Sequence, residues 1–203
     1  MKKRILSLLL VLVMLLGMLP TVALAAEDET TSGTCGDNAT WSYDADTQTL
    51  TISGTGPMTD AYEYDWSAYC NDVKNVVVED GVTTLCTYAF ENFSSLCSIS
   101  LPNGIAIHAG AFLECGITNL SFLPQTYQLV EDDDGYGGFF SYCHGLTSVT
   151  IPNSWETIPA STFEGCENLR SVVVPEGVSS IGDRAFASLV NASAIYLSSS
   201  IDS

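Results

Sequence analysis

The sequence offers few residues whose types and spacing could do chemistry. The densest group is an acidic run at residues 131–135, Glu-Asp-Asp-Asp-Gly. Clustered carboxylates suit a hard cation such as Ca²⁺, which makes Asp132, Asp133 and Asp134 candidate calcium ligands. The run lacks the alternate-position ligands and the twelfth-position Glu of an EF-hand loop. We favour a solvated acidic loop as its interpretation, and we expect no cofactor.

The histidines and cysteines form no recognisable catalytic or metal-binding motif. His108 and His144 each stand alone and no Cys-x-x-Cys occurs, so a zinc site is not expected. Cys143 adjoins His144, but sequence neighbours seldom point at each other, and no orienting partner for a nucleophile is evident. No nucleophile elbow or phosphate-binding glycine loop is present. We therefore predict no enzyme and name no catalytic residue.

The charge of the chain excludes further classes of partner. The 203 residues include 24 acidic and only 6 basic side chains, for a formal net charge of −18. Lys2, Lys3 and Arg4 supply half of the cations in the first four residues. The remaining cations cannot form the basic surface that nucleic acids or anionic lipids require. At 46% apolar residues the chain can still bury a core.

The first 25 residues have the pattern of a secretory signal peptide. A basic start is followed by an apolar run from Ile5 to Leu19, and Ala23 and Ala25 provide a small-residue cleavage site. An anchor that stays uncleaved is the alternative, which this site disfavours. We expect a secreted or cell-surface protein with no membrane span after signal cleavage, and a flexible acidic lead-in at residues 26–32.

An internal repeat of about 23 residues defines the architecture. Its consensus is Leu-x-x-Val-x-Ile-Pro-x-x-Val-x-x-Ile-x-x-x-Ala-Phe-x-x-Cys. The longer gap before Phe140 indicates an insertion near residues 131–135. The last apolar residue of each predicted strand recurs at Val78, Leu101, Phe122, Ile151, Val174 and Leu197. The central Phe of the repeat recurs at Phe90, Phe112, Phe140, Phe163 and Phe186.

The physics of one unit predicts a solenoid. Val-x-Ile alternates with period two, which predicts a short strand, and the following Pro ends it because it cannot donate to a sheet ladder. Val178 and Ile181 turn the chain back with a second inward apolar pair, and Ala185-Phe186 begin a turn of helix or an irregular return. A single unit has no hydrophobic core of its own, so the units must stack, strand on strand and Phe on Phe. We call each stacked unit a rung. We expect a mostly β member of the α/β class with a parallel sheet on one face.

The cysteines divide into two groups. Cys115, Cys143 and Cys166 each follow the central Phe by three residues, in a position that holds Phe93 or Leu189 in other units. Such a position is an apolar interior site, where free cysteine behaves as a small hydrophobe. Disulfides between neighbouring rungs are the less favoured alternative. One bridge is possible among the others, and the sequence does not say which: Cys35, Cys70, Cys86 and Cys97.

Residues 33–72 do not fit the repeat and are predicted to form an N-terminal cap. Two alternating segments, 40–44 and 49–53, flank a polar turn and predict a β-hairpin. Trp66 and Tyr69 could begin a short helical turn. Residues 73–203 then form about five and a half rungs. Because a last rung without a cap exposes apolar surface, we expect the C-terminus to be incomplete.

These residues resemble the BspA-type leucine-rich repeat family of bacterial surface proteins. The resemblance is carried by Thr147-Ser-Val-Thr-Ile-Pro-Asn153, Phe163-Glu-Gly-Cys-Glu-Asn-Leu169 and Val174-Pro-Glu-Gly-Val-Ser-Ser-Ile-Gly182. The segment Gly33-Thr-Cys-Gly-Asp-Asn38 is similar to a module that often precedes such repeats. The resemblance implies a right-handed leucine-rich-repeat solenoid and a secreted or surface-attached protein that binds other proteins, with adhesion to host matrix proteins or other cells as its role. It implies no catalytic residue.

The outward side chains of the predicted sheet are the best candidates for a binding surface. They are small and rich in hydroxyl groups, with one aromatic side chain, so plain solvent exposure is the alternative. A non-catalytic scaffold or targeting region of a larger secreted protein, one that could carry an enzyme, is the second functional hypothesis. The candidate residues that contact a protein ligand are Val77, Ser100, Ser121, Thr150, Val173 and Tyr196.

Overall fold

A computed structural model describes residues 31–60, 64–118, 120, 123, 127–130, 138–197, 199 and 201. The predicted signal peptide, most of the acidic lead-in, Ser121 and the acidic insertion with Asp132, Asp133 and Asp134 lie outside the described residues. The described part is almost entirely β-strand and turn.

The N-terminal cap is a three-stranded antiparallel unit. It consists of β1 (Ser32–Thr34), β2 (Ala39–Asp44) and β3 (Thr49–Gly54), with β2 paired to both neighbours. The Asp44 carboxylate accepts hydrogen bonds from the amides of Asp46 (2.9 Å) and Thr47 (3.3 Å), which shapes the turn between β2 and β3. This geometry confirms the predicted hairpin.

One stack of parallel strands continues directly from the cap. Strand β3 pairs in parallel with β5 (Asn75–Val78), and β5 pairs with β7 (Ser98–Ser100). Further along the chain β10 (Ser148–Thr150), β12 (Ser171–Val173) and β14 (Ala194–Tyr196) pair in the same way. Each strand is short because the repeat places a Pro or a polar residue just after its last apolar anchor. The predicted parallel sheet is confirmed, and the cap is part of it.

A second stack of strands lies where the sequence indicated only an inward apolar pair. It comprises β4 (Gly56–Pro57), β6 (Val82–Leu85), β8 (Ile105–His108) and β9 (Tyr127–Val130), followed by β11 (Thr157–Ile158) paired with β13 (Ser180–Ile181). All of these pairs are parallel. The two-residue strands are too short to show a period, so no alternation in the sequence predicts them.

The central Phe residues form a continuous stack along the molecule. The rings of Phe90 and Phe112 are 5.2 Å apart, those of Phe112 and Phe140 5.5 Å, those of Phe140 and Phe163 6.0 Å, and those of Phe163 and Phe186 5.6 Å. All four contacts are stacked, and the first four rings are buried. The predicted Phe ladder is confirmed.

The segments around these Phe residues are turns, which we call the return turns: residues 87–92, 109–114, 138–142, 160–165 and 183–188. In four of the five return turns the residues two before and two after the Phe have positive φ, for example Tyr88 (56°) and Asn92 (62°) in the first return turn. Positive φ is uncommon for non-glycine residues. The amides on either side of the Phe bond within their own rung, as those of Ala89 to Cys86 (3.3 Å) and Glu91 to Tyr88 (3.1 Å) do, and the amides that alternate with them bond to the next rung.

The hydrogen bonds between return turns have a single direction. In each described pair the amide N–H of one rung donates to a carbonyl of the following rung. The amide of Phe90 donates to Ala111 (2.9 Å), that of Phe140 to Thr162 (3.0 Å), and that of Phe163 to Ala185 (2.9 Å). The first return turn therefore presents carbonyls toward the cap.

The cap supplies donors for these carbonyls from side chains. A 3₁₀ helix at Asp65–Tyr69, which confirms the predicted helical turn, places aromatic residues over the first return turn. The Trp66 indole donates to the carbonyl of Ala89 (2.8 Å), and the Tyr64 hydroxyl donates to that of Thr87 (3.2 Å). In later rungs the carbonyls at the same two repeat positions accept backbone amides. The cap thus replaces the amides of a preceding rung.

The thiols of the interior cysteines also form hydrogen bonds between rungs, in the opposite direction to the backbone amides. Cys115, Cys143 and Cys166 are buried, and each thiol donates to the carbonyl of the central Phe of the preceding rung at 3.0 to 3.4 Å. Burial raises the pKa of Cys115 and of Cys166 to about 12. The predicted interior position is confirmed. All seven cysteines are free thiols in this structure.

Candidate functional site

The strand registers align the described predicted binding residues in two groups. Val77 pairs with Ser100 in β5 and β7, and Val173 pairs with both Thr150 and Tyr196 in β10, β12 and β14. Ser121, the sixth predicted residue, lies outside the described residues. Because paired residues of parallel strands share a face, Val77 and Ser100 lie on the outer surface of one sheet, and Thr150, Val173 and Tyr196 lie on the outer surface of a second one. We call these two surfaces together the sheet row.

The row is exposed along most of its length. Ser100 and Thr150 are exposed, Val77 is half-buried, and exposure rises to 40% at Val173 and 63% at Tyr196. The inward neighbours of the row are buried and hold the strands against the core: Val76, Ile99, Val149 and Val172. The row is therefore a rigidly supported surface with its largest apolar side chain at one end.

A polar ladder runs beside the row at the cap end. The Asn75 amide donates to the Thr47 carbonyl (3.2 Å), and its oxygen accepts the Ser98 hydroxyl (2.7 Å). Lys74 and Arg170 precede their strands at equivalent repeat positions, and the carbonyl of each accepts an amide from the next rung. Two of the few cations of the chain thus flank the sheet row.

A buried carboxylate on the opposite side of the rungs is held by an ion pair. Glu164 is 7% exposed, and Arg184 forms two hydrogen bonds to its carboxylate, one of them at 3.1 Å from Nε. The Tyr142 hydroxyl lies 3.5 Å from the same carboxylate. The hydrogen bonds from Arg184 lower the pKa of Glu164, against the opposing effect of burial. This group links three successive rungs.

We expect this pair to make stability depend on acid pH. A lowered folded-state pKa means that ionised Glu164 stabilises the fold above its unfolded-state pKa, and that this contribution is lost as the pH falls through the folded-state pKa. At pH 7 the wild type should have a Tm about 1–3 °C above that of Glu164→Gln, since Arg184 is solvent-exposed and the pair is screened. The difference should vanish in strongly acidic buffer. Thermal unfolding followed by circular dichroism tests this, and a difference independent of pH would contradict it.

The other residues considered for chemistry have structural partners. The Thr87 hydroxyl lies 3.5 Å from Nδ1 of His108, and the His144 ring makes an edge contact with Tyr142. The Cys143 thiol is buried and donates to the carbonyl of Phe112. Within the described parts of the chain, no group of three or more His, Cys, Asp or Glu side chains is arranged to hold a metal ion.

Two clefts that the sequence did not indicate adjoin Tyr64: the smaller lies within the cap, and the larger lies between the cap and the first return turn. They have volumes of about 320 and 450 Å³ and share Asp60 and Tyr64 in their linings. Asp37 and Asp65 contribute carboxylates to the smaller cleft, and Glu91 contributes one to the larger. Burial and the nearby Glu114 raise the pKa of Glu91. Only spatial proximity joins these residues, so no sequence motif could reveal the clefts.

The structure is a solenoid of stacked parallel strands with one rung per repeat and an exposed sheet row. Repeat proteins of this architecture typically serve as interaction scaffolds. The chain matches the BspA type leucine rich repeat region in six copies, over residues 60–132 and 136–203. It belongs to this family, as the resemblance implied.

Solved structures of bacterial leucine-rich repeat proteins are similar to this chain, and the first of them shares its fold. One from Eubacterium ventriosum is 22% identical with a TM-score of 0.60, and the match covers 83% of this chain and 45% of that one. One from Bacteroides ovatus is 20% identical (TM-score 0.48; 82% and 53% covered). A leucine rich cell surface protein from Faecalibacterium prausnitzii is 19% identical (TM-score 0.43; 81% and 54% covered). The chain thus spans about half the length of these proteins.

Two further comparisons are negative. No curated protein matches the sequence. In the part of the chain that the structure describes, no helix has the length and apolar character needed to cross a membrane.

Proposed function

We propose that this chain is a secreted or cell-surface binding module that captures a protein ligand on the sheet row, with adhesion to host or neighbouring-cell proteins as its role. The observation that carries the proposal is the exposure of Ser100, Thr150, Val173 and Tyr196 on the outer surface of strands whose inward side chains are buried, except in the last described strand, where Ile195 is 42% exposed. Preorganised strands lose little conformational entropy on binding. The signal-peptide pattern of residues 1–25 supports export.

The composition of the row limits the kind of ligand. Thr150 offers a hydroxyl, Val173 an apolar surface, and Tyr196 an aromatic ring with a polar tip. Tyrosine is enriched among the residues that dominate binding energy in protein interfaces. The strongly acidic chain disfavours anionic ligands. A protein surface with apolar and hydrogen-bonding groups fits best.

The test is a triple substitution in the row. Thr150→Asp, Val173→Asp and Tyr196→Asp together should reduce capture of the ligand by at least about tenfold, because charges are buried without partners in the complex. The probe is a set of purified extracellular-matrix proteins (fibronectin, laminin and collagen) immobilised for surface plasmon resonance. Binding by the wild type and loss in the triple variant are the expected result.

A matched control separates the row from general effects of charge. Thr157→Asp, Ser179→Asp and Ser180→Asp add the same charge at exposed positions on and beside the second stack of strands. This variant should bind like the wild type, and circular dichroism should show both variants folded. Equal loss in both variants, or unchanged capture by the row variant, would remove the row as the site.

A scaffold or targeting region within a larger secreted protein is the second candidate function. The observation that favours it is that the match to the Eubacterium structure covers only 45% of that protein's length. The row could then bind the substrate or cell surface at which the larger protein acts. Fusion of an unrelated reporter domain distinguishes it: a targeting region should carry the reporter to the bound matrix protein with unchanged affinity.

A further inference from the structure

The larger cleft, between the cap and the first return turn, combines aromatic and carboxylate side chains. Its volume of about 450 Å³ lies within the range of small-ligand sites. Tyr64 and Tyr88 line it together with the carboxylates of Asp60 and Glu91. Tyr88 is 37% exposed, and Asp60 is exposed as well. The cleft therefore presents an accessible aromatic ring and two anionic groups to a single ligand.

The carboxylate of Glu91 has no cationic partner among the described residues. Glu91 is half-buried, and no residue of the described part donates a hydrogen bond to its side chain. Burial and the nearby carboxylate of Glu114 both raise the pKa of Glu91. A half-buried anion beside a second anion is stabilised by a cation that reaches it. The larger cleft is the accessible side from which a ligand can supply that cation.

A second glutamate of the chain shows which cation suits this position of the repeat. Glu91 and Glu164 each follow the central Phe of their rung by one residue. Arg184, which lies two residues before the next central Phe, forms an ion pair with Glu164. The equivalent residue in the rung after Glu91 is Gly110, and the ring of Tyr88 lies in the place that a side chain at Gly110 would take. The chain thus provides an arginine to one of two equivalent carboxylates and an aromatic ring beside the other.

We propose that the larger cleft binds an arginine side chain of a protein or peptide partner, with the guanidinium group paired with Glu91 and stacked on Tyr88. A planar guanidinium group forms bidentate hydrogen bonds to a carboxylate and also stacks on aromatic rings, which an ammonium group cannot match. Asp60 adds a second negative charge, and the net charge of −18 attracts a basic partner.

The proposal does not depend on the function of the sheet row. None of the residues that line the larger cleft belongs to the strands that carry the row. The arginine site can therefore be tested with a small probe and without a matrix protein, so its failure would leave the function proposed for the row unaffected.

The experiment titrates Nα-acetyl-arginine amide into the ¹⁵N-labelled full chain at neutral pH and follows the amide resonances by NMR. The largest chemical-shift changes should fall at Tyr88, Glu91 and Asn92, which line the cleft. Nα-acetyl-citrulline amide has nearly the same shape and no charge, and it should bind at least about tenfold more weakly.

Two substitutions in the cleft test the named contacts. Glu91→Gln should weaken binding of the arginine probe about fivefold, because it removes the charge that pairs with the guanidinium group. Tyr88→Leu should weaken it about threefold, because it keeps an apolar side chain and removes the ring face. Glu167→Gln is the matched control, since it removes the same charge from an exposed position in another rung, and it should bind like the wild type.

The amide spectra show whether each variant is folded, and the comparison of arginine with citrulline in the wild type needs no variant. Equal binding of the two probes, or unchanged affinity of either folded cleft variant, would overturn the proposal. Shift changes spread over acidic residues outside the cleft would also overturn it, because they would show a general attraction of cations to the negative chain.

Discussion

Replacing Phe140 with alanine is expected to lower the free energy of unfolding by about 3–5 kcal/mol. Phe140 is 1% exposed and stacks between Phe112 (5.5 Å) and Phe163 (6.0 Å). Its backbone amide is bonded to the next rung, so the surrounding turns cannot collapse into the cavity. Because each rung contacts only its neighbours, the loss should also weaken the coupling between the two halves of the solenoid. Urea unfolding followed by tryptophan fluorescence and circular dichroism measures both effects.

Phe186→Ala is the matched control for this prediction. Phe186 has the same place in its rung, but it is half-buried and stacks on only one described neighbour, Phe163. Its removal should cost roughly 1–2 kcal/mol, because less apolar surface is lost from the core. Equal costs for the two substitutions would contradict a stack whose energy depends on burial between two rungs.

The second large effect is expected at the cap. Trp66→Phe should lower the free energy of unfolding by about 2–3 kcal/mol, since it removes apolar volume and leaves the buried carbonyl of Ala89 without its 2.8 Å hydrogen bond. Trp66 also stacks on Tyr64 (4.6 Å) and Phe90 (6.2 Å), so the substitution loosens the contact of cap and first rung. Denaturant unfolding gives the magnitude.

Tyr64→Phe provides the comparison, because it deletes only the hydroxyl that donates to Thr87 at 3.2 Å. Its cost should be about 1 kcal/mol, the usual value for one hydrogen bond. Hydrogen exchange should show both variants losing protection near residues 82–93 and little change beyond β10. A loss spread evenly over all rungs would be inconsistent with the cap acting on the first return turn.

The sequence predicted the parts of the fold that depend on repeated apolar side chains. The recurrence of Val-x-Ile and of the central Phe was sufficient for the parallel sheet, the Phe stack and the interior position of Cys115, Cys143 and Cys166. A buried position requires an apolar residue type, and the repeat shows the same apolar positions in several successive units. The hairpin of the cap was recognisable for the same reason, from its alternating segments.

The features that the sequence did not reveal depend on the backbone. The second stack includes strands as short as Thr157–Ile158, which carry no alternation. The uniform direction of the hydrogen bonds between return turns depends on positive φ at residues as different as Tyr88, Glu114 and Arg184. Because these positions share a conformation and no side-chain chemistry, residue types could not identify them. Because the hydrogen bonds between return turns have this direction, the first return turn needs a donor from the cap, which the Trp66 indole supplies. Residue types could not predict this role of Trp66 either.

The candidate site was predictable in its position and not in its extent. Alternation along the strands was enough to select Val77, Ser100, Thr150, Val173 and Tyr196 as outward residues, and the register aligns them. The rise in exposure toward Tyr196 depends on the end of the described solenoid, where no further strand shields the ring. The clefts beside Tyr64 depend on the docking of the cap, which no local pattern encodes.

The most direct test of the proposed binding function is an NMR titration of the ¹⁵N-labelled chain with a matrix protein that binds the wild type in the surface plasmon resonance test. We predict that the largest chemical-shift changes and line broadening fall on the sheet row, at Ser100, Thr150, Val173 and Tyr196, and that residues in the return turns change little. Changes confined to the return turns or to the clefts at the cap, with the sheet row unaffected, would contradict it.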